Sequence, residues 1–155
     1  MGMKYTQGSA SEQEIYSHLM KCNESFITNL AKRVNLEEYS KKIFEKAVTF
    51  EAWSGDTLVG LVAAYFNDPD GQTGYITNVS TIRTYMKKGI ALELMNMCIQ
   101  YAKQYSVQEI KLEVCKDNSP AIHLYKEFGF MDYKNKDDFM LMKLGVSKLR
   151  LIKPY

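Results

Sequence analysis

Apolar positions recur at helical spacing early in the chain, at strand spacing in its middle, and then alternate between the two. Lys4 to Thr6 reads as a short first strand. Ser11 with Glu14 forms a capping box ahead of Ile15, Leu19 and Met20, which predicts a helix. The stretch from Phe26 to Asn35 shows no clear period and reads as a connection or a short turn of helix. Asn35 and Glu38 make a second cap-like pair, followed by a helix with Leu36, Tyr39, Ile43 and Ala47 on one face. Strands are predicted over Val48 to Trp53, Leu58 to Phe66 and Gly74 to Ile82. The turns Ser54-Gly55-Asp56 and Asp68-Pro69-Asp70-Gly71 join them into an antiparallel meander.

A polar segment, Arg83 to Lys88, leads to a helix from about Ile90 to Tyr105. Its inward stripe is Leu94 or Met95, Cys98, Ile99 and Ala102. Ile110, Leu112 and Val114 then alternate as a strand, expected to pair in parallel with the strand ending at Ile82. Ser119 as N-cap with Pro120 at the first position opens a helix that runs to Phe128 and stops at Gly129. Phe130 to Tyr133 and Phe139 to Leu144 read as a closing hairpin around Lys136-Asp137-Asp138. The order predicts one α+β domain over residues 1–155, with a mixed, mostly antiparallel central sheet flanked by helices and one parallel strand pair. A doubly wound fold does not fit, because only one crossover is parallel.

Composition narrows the function classes. A chain of 155 residues, 46% hydrophobic and 25% charged, can bury one core and does not resemble a disordered chain. A net charge of +2 argues against nucleic acid or an anionic membrane as partner. The three cysteines, Cys22, Cys98 and Cys115, show neither metal-ligand spacing nor a disulfide framework, so no metal is expected. His18 and His123 each stand alone. Free thiols and the lack of a long apolar run or signal peptide point to a cytoplasmic protein.

The chemistry concentrates at Met86-Lys87-Lys88-Gly89-Ile90-Ala91, where a loop enters a helix. The first turn of a helix offers unpaired N–H groups and partial positive charge, and Gly89 lets a ligand approach the backbone closely. With Lys87 and Lys88 alongside, such a junction suits a pyrophosphate; the other reading is a glycine that merely permits a tight turn. A P-loop is excluded because Leu92 follows where Lys-Ser or Lys-Thr would stand. A dinucleotide fingerprint is excluded because Gly89 is the segment's single glycine. Downstream, a second turn at Asp117-Asn118-Ser119 is expected at the same sheet edge, placing Asn118 opposite Gly89, with Tyr125 on the helix beyond.

These segments resemble the GNAT superfamily of acyl-CoA-dependent N-acetyltransferases. The cofactor motif of that family falls on Met86 to Ala91, with Met86 in place of the usual Arg or Gln. Its later pattern matches at Asn118, Ala121, Leu124, Tyr125, Gly129 and Phe130. The resemblance implies acetyl-CoA as co-substrate and direct attack by an amine in a ternary complex. It implies a backbone oxyanion donor where the third meander strand bulges, near Thr81 and Ile82, and Tyr125 as the general acid. Glu51 is a candidate base, with a solvated strand carboxylate as the other reading. Phe26, Asn29, Trp53, Tyr65 and Asn78 are candidates for the acceptor cleft, together with Arg33, Tyr39 and Tyr75. The expected acceptor is a small polar amine such as an amino sugar, a polyamine or an amino acid, while a protein N-terminus or lysine also fits. The rival reading is an acyl-CoA-binding or regulatory module with little turnover. The expectation leaves room for a homodimer.

Overall fold

The computed structural model describes residues 2–23 and 35–146. The candidate acceptor residues Phe26, Asn29 and Arg33, and the tail from 147 onward, lie outside the described residues. Seven strands form one sheet in the order β1-β2-β3-β4-β5-β7-β6. They are β1 (Lys4–Gln7), β2 (Val48–Ser54), β3 (Thr57–Tyr65), β4 (Thr73–Thr81), β5 (Glu109–Cys115), β6 (Met131–Lys136) and β7 (Phe139–Gly145). The helices are α1 (Glu12–Asn23), α2 (Leu36–Lys46), α3 (Ile90–Gln104) and α4 (Ser119–Phe128). Every neighbouring pair is antiparallel except β4 with β5. None of the described helices is long and apolar enough to cross a membrane.

Local chemistry sets the helix starts. Ser11 and Glu14 close a reciprocal capping box, Ser11 N–H to Glu14 Oε1 at 2.9 Å and Glu14 N–H to Ser11 Oγ at 3.1 Å. Asn35 Oδ1 accepts from Glu38 N–H at 3.0 Å and caps α2. At α4 the expected cap is displaced by one residue. Asn118, not Ser119, is the N-cap, and its side chain accepts from Ala121 N–H at 3.3 Å, leaving Pro120 one position later than expected. In the run Asp117-Asn118-Ser119 every residue is a competent cap, so sequence alone does not choose among them.

Two cores lie on opposite faces of the sheet. Ile15 and Leu19 of α1 and Leu36 and Ile43 of α2 bury Trp53, Leu58, Leu61 and Ala63 on one face. On the other, α3 packs Ile90, Leu94, Met95, Cys98, Ile99 and Ala102 against Phe50, Val59, Val62 and Ile76. All members of the stripe expected on α3 are buried. Gly60 admits this helix to the sheet: a Cβ there would stand 2.6 Å from Ile90 Cγ2 and 3.2 Å from Leu94 Cδ1. The missing side chain therefore fixes how closely the first turn of α3 sits on β3.

Candidate active site

Strands β4 and β5 pair only over their first halves, from Thr73↔Glu109 to Ile76↔Leu112. Beyond Ile76 the ladder between them stops, although β4 continues to Thr81 and β5 stays paired with β7 through Cys115↔Phe139. The break has a local cause. The register of β3 with β4 shifts from Ala63↔Asn78 to Ala64↔Ile76, so Thr77 is an extra residue in β4. The bulge is thus at Thr77, some way before the expected Thr81 and Ile82. A one-residue insertion barely alters the alternation of side chains, which is why the sequence misplaces it.

Helix α2 clamps this bulge. Tyr39 Oη donates to the Thr77 carbonyl at 2.6 Å and lies 2.9 Å from Thr77 Oγ1. Burial, only partly offset by hydrogen bonds from Thr77 and Asn78, pushes the Tyr39 phenol up to about 12, so it stays a donor.

Past the bulge, the backbone amides alternate between the two edges of β4. Ile82 N–H donates to Val59 O at 2.9 Å and is therefore spent on β3. By alternation Thr81 N–H turns toward the parted edge, and so does Val79 N–H, which the sequence reading overlooked. Of the two expected donors, only Thr81 faces the gap.

The Gly89 junction closes the C-terminal side of the gap. Gly89 is the N-cap of α3 in left-handed conformation, φ 81°, with no side-chain cap. Lys87, two residues earlier, also has positive φ, 64°. The first intrahelical bond runs from Glu93 N–H to Gly89 O at 3.1 Å, so the N–H groups of Ile90, Ala91 and Leu92 have no helical acceptor. A Cβ on Gly89 would meet nothing within 4 Å, so the backbone is approachable as well as left-handed. Met86, Lys87 and Lys88 are exposed beside it. Tyr85 Oη donates to Ser54 Oγ at 3.1 Å and ties the turn Arg83–Tyr85 to the β2–β3 hairpin. These features fit a pyrophosphate held by backbone amides, with the lysines adding charge.

Across the gap, Asn118 has its carboxamide oxygen committed to the cap of α4, leaving its NH2 to meet a ligand. Tyr125 is 6% exposed, with its ring centroid 5.9 Å from that of Phe130. Burial raises its phenol above the ordinary value, and no hydrogen bond from a described residue offsets this.

Two expected site residues belong instead to the framework. Glu51 is fully buried and accepts four hydrogen bonds: Thr6 Oγ1 at 2.6 Å, Ser9 N–H at 2.9 Å, Ala10 N–H at 2.9 Å and Thr49 Oγ1 at 2.6 Å. Neither the expected base nor the solvated carboxylate describes it; its lone pairs are occupied in fastening β1 and the start of α1 to β2. Trp53 Nε1 donates to Thr6 Oγ1 at 2.7 Å, so it too faces this clamp and not the cleft.

On the α1/α2 face of the sheet Tyr39 meets Thr77, and strand alternation sets Tyr65, Tyr75, Asn78 and Glu113 on that same face. Tyr65 pairs with Tyr75 across β3 and β4, and Lys42 of α2 lies 5.2 Å from the Tyr65 ring centroid. An open cavity of about 330 Å³, lined partly by Tyr65, Asp68, Thr73 and Tyr75, occupies the end of β4 remote from Gly89. It adjoins the acceptor side and not the cofactor loop. Burial there raises the pKa of the Tyr65 phenol, an effect the nearby Thr77 side chain partly offsets. Glu113 was missed from the sequence. Ile110, Leu112 and Val114 point into the core under α3. Period two therefore turns Glu113 to the opposite face, one residue past the last β4–β5 pair and across from Thr77. Among the described residues no cluster of three or more His, Cys, Asp or Glu could hold a metal ion.

The acetyltransferase (GNAT) family model matches residues 13–130. The chain belongs to this family. It is an acetyl-CoA-dependent N-acetyltransferase. N-alpha-acetyltransferase 30 of Schizosaccharomyces pombe is 32% identical over 106 residues, covering 63% of this chain and 71% of that protein. An N-alpha-acetyltransferase of Sulfurisphaera tokodaii is 36% identical over 62 residues, 39% of this chain but only 37% of that protein. The fold matches the PaiA N-acetyltransferase of Thermoplasma acidophilum, solved in complex with coenzyme A. That match has a TM-score of 0.74 and 15% identity, covering 94% of this chain and 99% of the other.

Proposed function

We propose that this acetyltransferase modifies the α-amino group at the N-terminus of a polypeptide, by direct attack of the amine on the thioester. The observation that carries the chemistry is the parting of β4 from β5 at the Thr77 bulge, which opens backbone donors and acceptor-side residues onto one gap. The acceptor class is supported by the relatives named N-alpha-acetyltransferase. The open cavity lined partly by Tyr65 and Tyr75 also suits an extended chain.

When bound, acetyl-CoA supplies an activated acetyl group. The rest falls to the chain's own residues. The N–H groups of Ile90, Ala91 and Leu92, with Lys87, Lys88 and the Asn118 NH2, hold the phosphate-bearing end. The Val79 and Thr81 amides face the position where negative charge develops on the carbonyl oxygen. Glu113 takes the proton of the attacking amine, directly or through one water, and Asn78 orients that amine. Tyr125 returns a proton to the departing thiolate. A phenol near 10 is a weak acid toward a thiol near 8.5, and burial raises the Tyr125 phenol further, so it stays protonated and able to donate.

The test is a panel of short peptides with free α-amines beside amino sugars, polyamines and free amino acids, read by thiol release and product mass. The expected result is acetylation of peptide α-amines with kcat/KM at least about tenfold above any small amine. Preference for a small polar amine would restore the acceptor expected from the sequence. Coenzyme A binding without thiol release for any amine would favour a binding module.

A further inference from the structure

Two lysines stand directly opposite each other on the acceptor face of the sheet, and nothing in the chemistry above uses them. Lys111 of β5 is the cross-strand partner of Lys143 of β7. Their neighbours Ile110, Leu112, Met142 and Leu144 are buried in the core under α3, so period two turns both lysines to the α1/α2 face. Among the described residues, the core beneath α1 and α2 takes its strand side chains from β2 and β3. The lysine side chains lie beyond it, 40% and 46% exposed.

Like charges set directly opposite in a ladder weaken a sheet. One carboxylate answers both lysines: Glu109 Oε1 lies 3.8 Å from Lys111 Nζ, and Glu109 Oε2 lies 4.0 Å from Lys143 Nζ. Two ammonium groups against one carboxylate leave a positive charge over. Tyr133 gathers the pair further. It is the extra residue of a bulge in β6, between Asp132↔Met142 and Lys134↔Leu141. Its ring centroid lies 5.0 Å from Lys143 Nζ and 5.8 Å from Lys111 Nζ, within cation–π range of both. Ring and carboxylate thus hold two cations at one place, and a second anion there would relieve their repulsion.

The place of the pair relative to the gap indicates which anion. Lys111 precedes Glu113 by two residues on the same face of β5, an advance of about 7 Å along the strand. It is also the ladder partner of Tyr75, which lines the open cavity of about 330 Å³. The face therefore presents negative charge at the gap and positive charge about two residues of extended chain away. That order complements a polypeptide start whose α-ammonium is followed by an acidic side chain, and it opposes a run of lysines or a polyamine. We propose that Lys111 and Lys143 form an anion subsite that favours acceptor polypeptides carrying Asp or Glu at the second or third position. This rests on the reading of the β4–β5 gap as the site where the α-amine attacks.

Peptides that differ only in Glu, Gln or Lys at the second and third positions test it, read by thiol release at about 20 mM salt. The Glu peptide is expected to exceed the Gln peptide in kcat/KM by about fivefold, and the Lys peptide by more. The Glu-over-Gln ratio should fall to about one in the Lys111→Gln, Lys143→Gln double variant, and shrink toward one in the wild-type enzyme at about 0.3 M salt. Lys143→Glu should invert the order and place the Lys peptide first. A wild-type ratio below about twofold, or a ratio that survives in the double variant, would overturn the subsite. Equilibrium binding of the same peptides to the enzyme with coenzyme A reads the preference without turnover. Equal binding of all three peptides overturns the subsite. Preferred binding of the Glu peptide, lost in the double variant, with no peptide acetylated would keep the subsite and sink the functional reading.

Discussion

Tyr125→Phe is expected to lower kcat about a hundredfold while leaving acetyl-CoA KM within about threefold. The substitution is unusually clean. Phenylalanine keeps the ring that packs 5.9 Å from Phe130, and the ring stays in the core beneath the β4–β5 gap. The hydroxyl it removes has no hydrogen-bonded partner among the described residues, so no buried group is stranded and Tm should move little. A fall in turnover without a fall in stability then reports the loss of a proton donor. Steady-state kinetics with thermal melting decides it, and a kcat within about twofold of wild type would remove Tyr125 as the acid.

Glu51→Gln and Glu113→Gln are expected to part in opposite directions. Glutamine at 51 offers one accepting oxygen where the carboxylate offered two. Either the Thr6 and Ser9 pair or the Ala10 and Thr49 pair would then face an NH2 group. Leaving a buried backbone N–H without an acceptor costs about 1–3 kcal/mol, so the pair costs about 3 kcal/mol, or roughly 10 °C in Tm at this chain length. Turnover of the folded fraction should stay within about twofold. Glu113→Gln should do the reverse: Tm within about 2 °C of wild type and kcat lower by about tenfold or more, steepest at low pH, where the amine carries its proton. Loss of turnover in Glu51→Gln at full folding would return the base to Glu51.

The contrast between these two carboxylates shows where the sequence was readable. Capping boxes, turn residues and the buried stripe of α3 are encoded within three to four residues of one another, and each formed as its local pattern required. The parallel pair and the left-handed Gly89 also follow from local order and a local conformational need. The role of Glu51 is set by Thr6, Ser9 and Ala10, which lie 45, 42 and 41 positions away and become its donors only when β1 docks. His18 meets Ser80 across 62 positions. Neither partnership leaves a trace in periodicity, because a charged residue inside a strand looks the same whether solvent or a clamp receives it. Glu113 was legible in principle: three alternating apolar neighbours determine its face, but only the position of the bulge shows that this face opens on the gap.

Buried His18 has a consequence for the acid tolerance of the protein. The unfolded chain takes up a proton at this residue near 6.5, whereas the folded protein holds out to about 4. Above 6.5 the two states agree and His18 contributes no pH dependence. As pH falls through that window the unfolded state gains a proton that the folded state refuses, so the fold loses up to about 3 kcal/mol by pH 4. Melting temperatures taken between pH 7 and pH 5 should therefore decline in the wild-type protein, and decline less steeply in His18→Gln. The Cys22 thiol beside the ring, pushed up to about 12, does not change charge over that range. The histidine packed between α1 and the sheet thus sets an acid limit on the domain, and mildly acidic surroundings weaken the fold through this one buried ring.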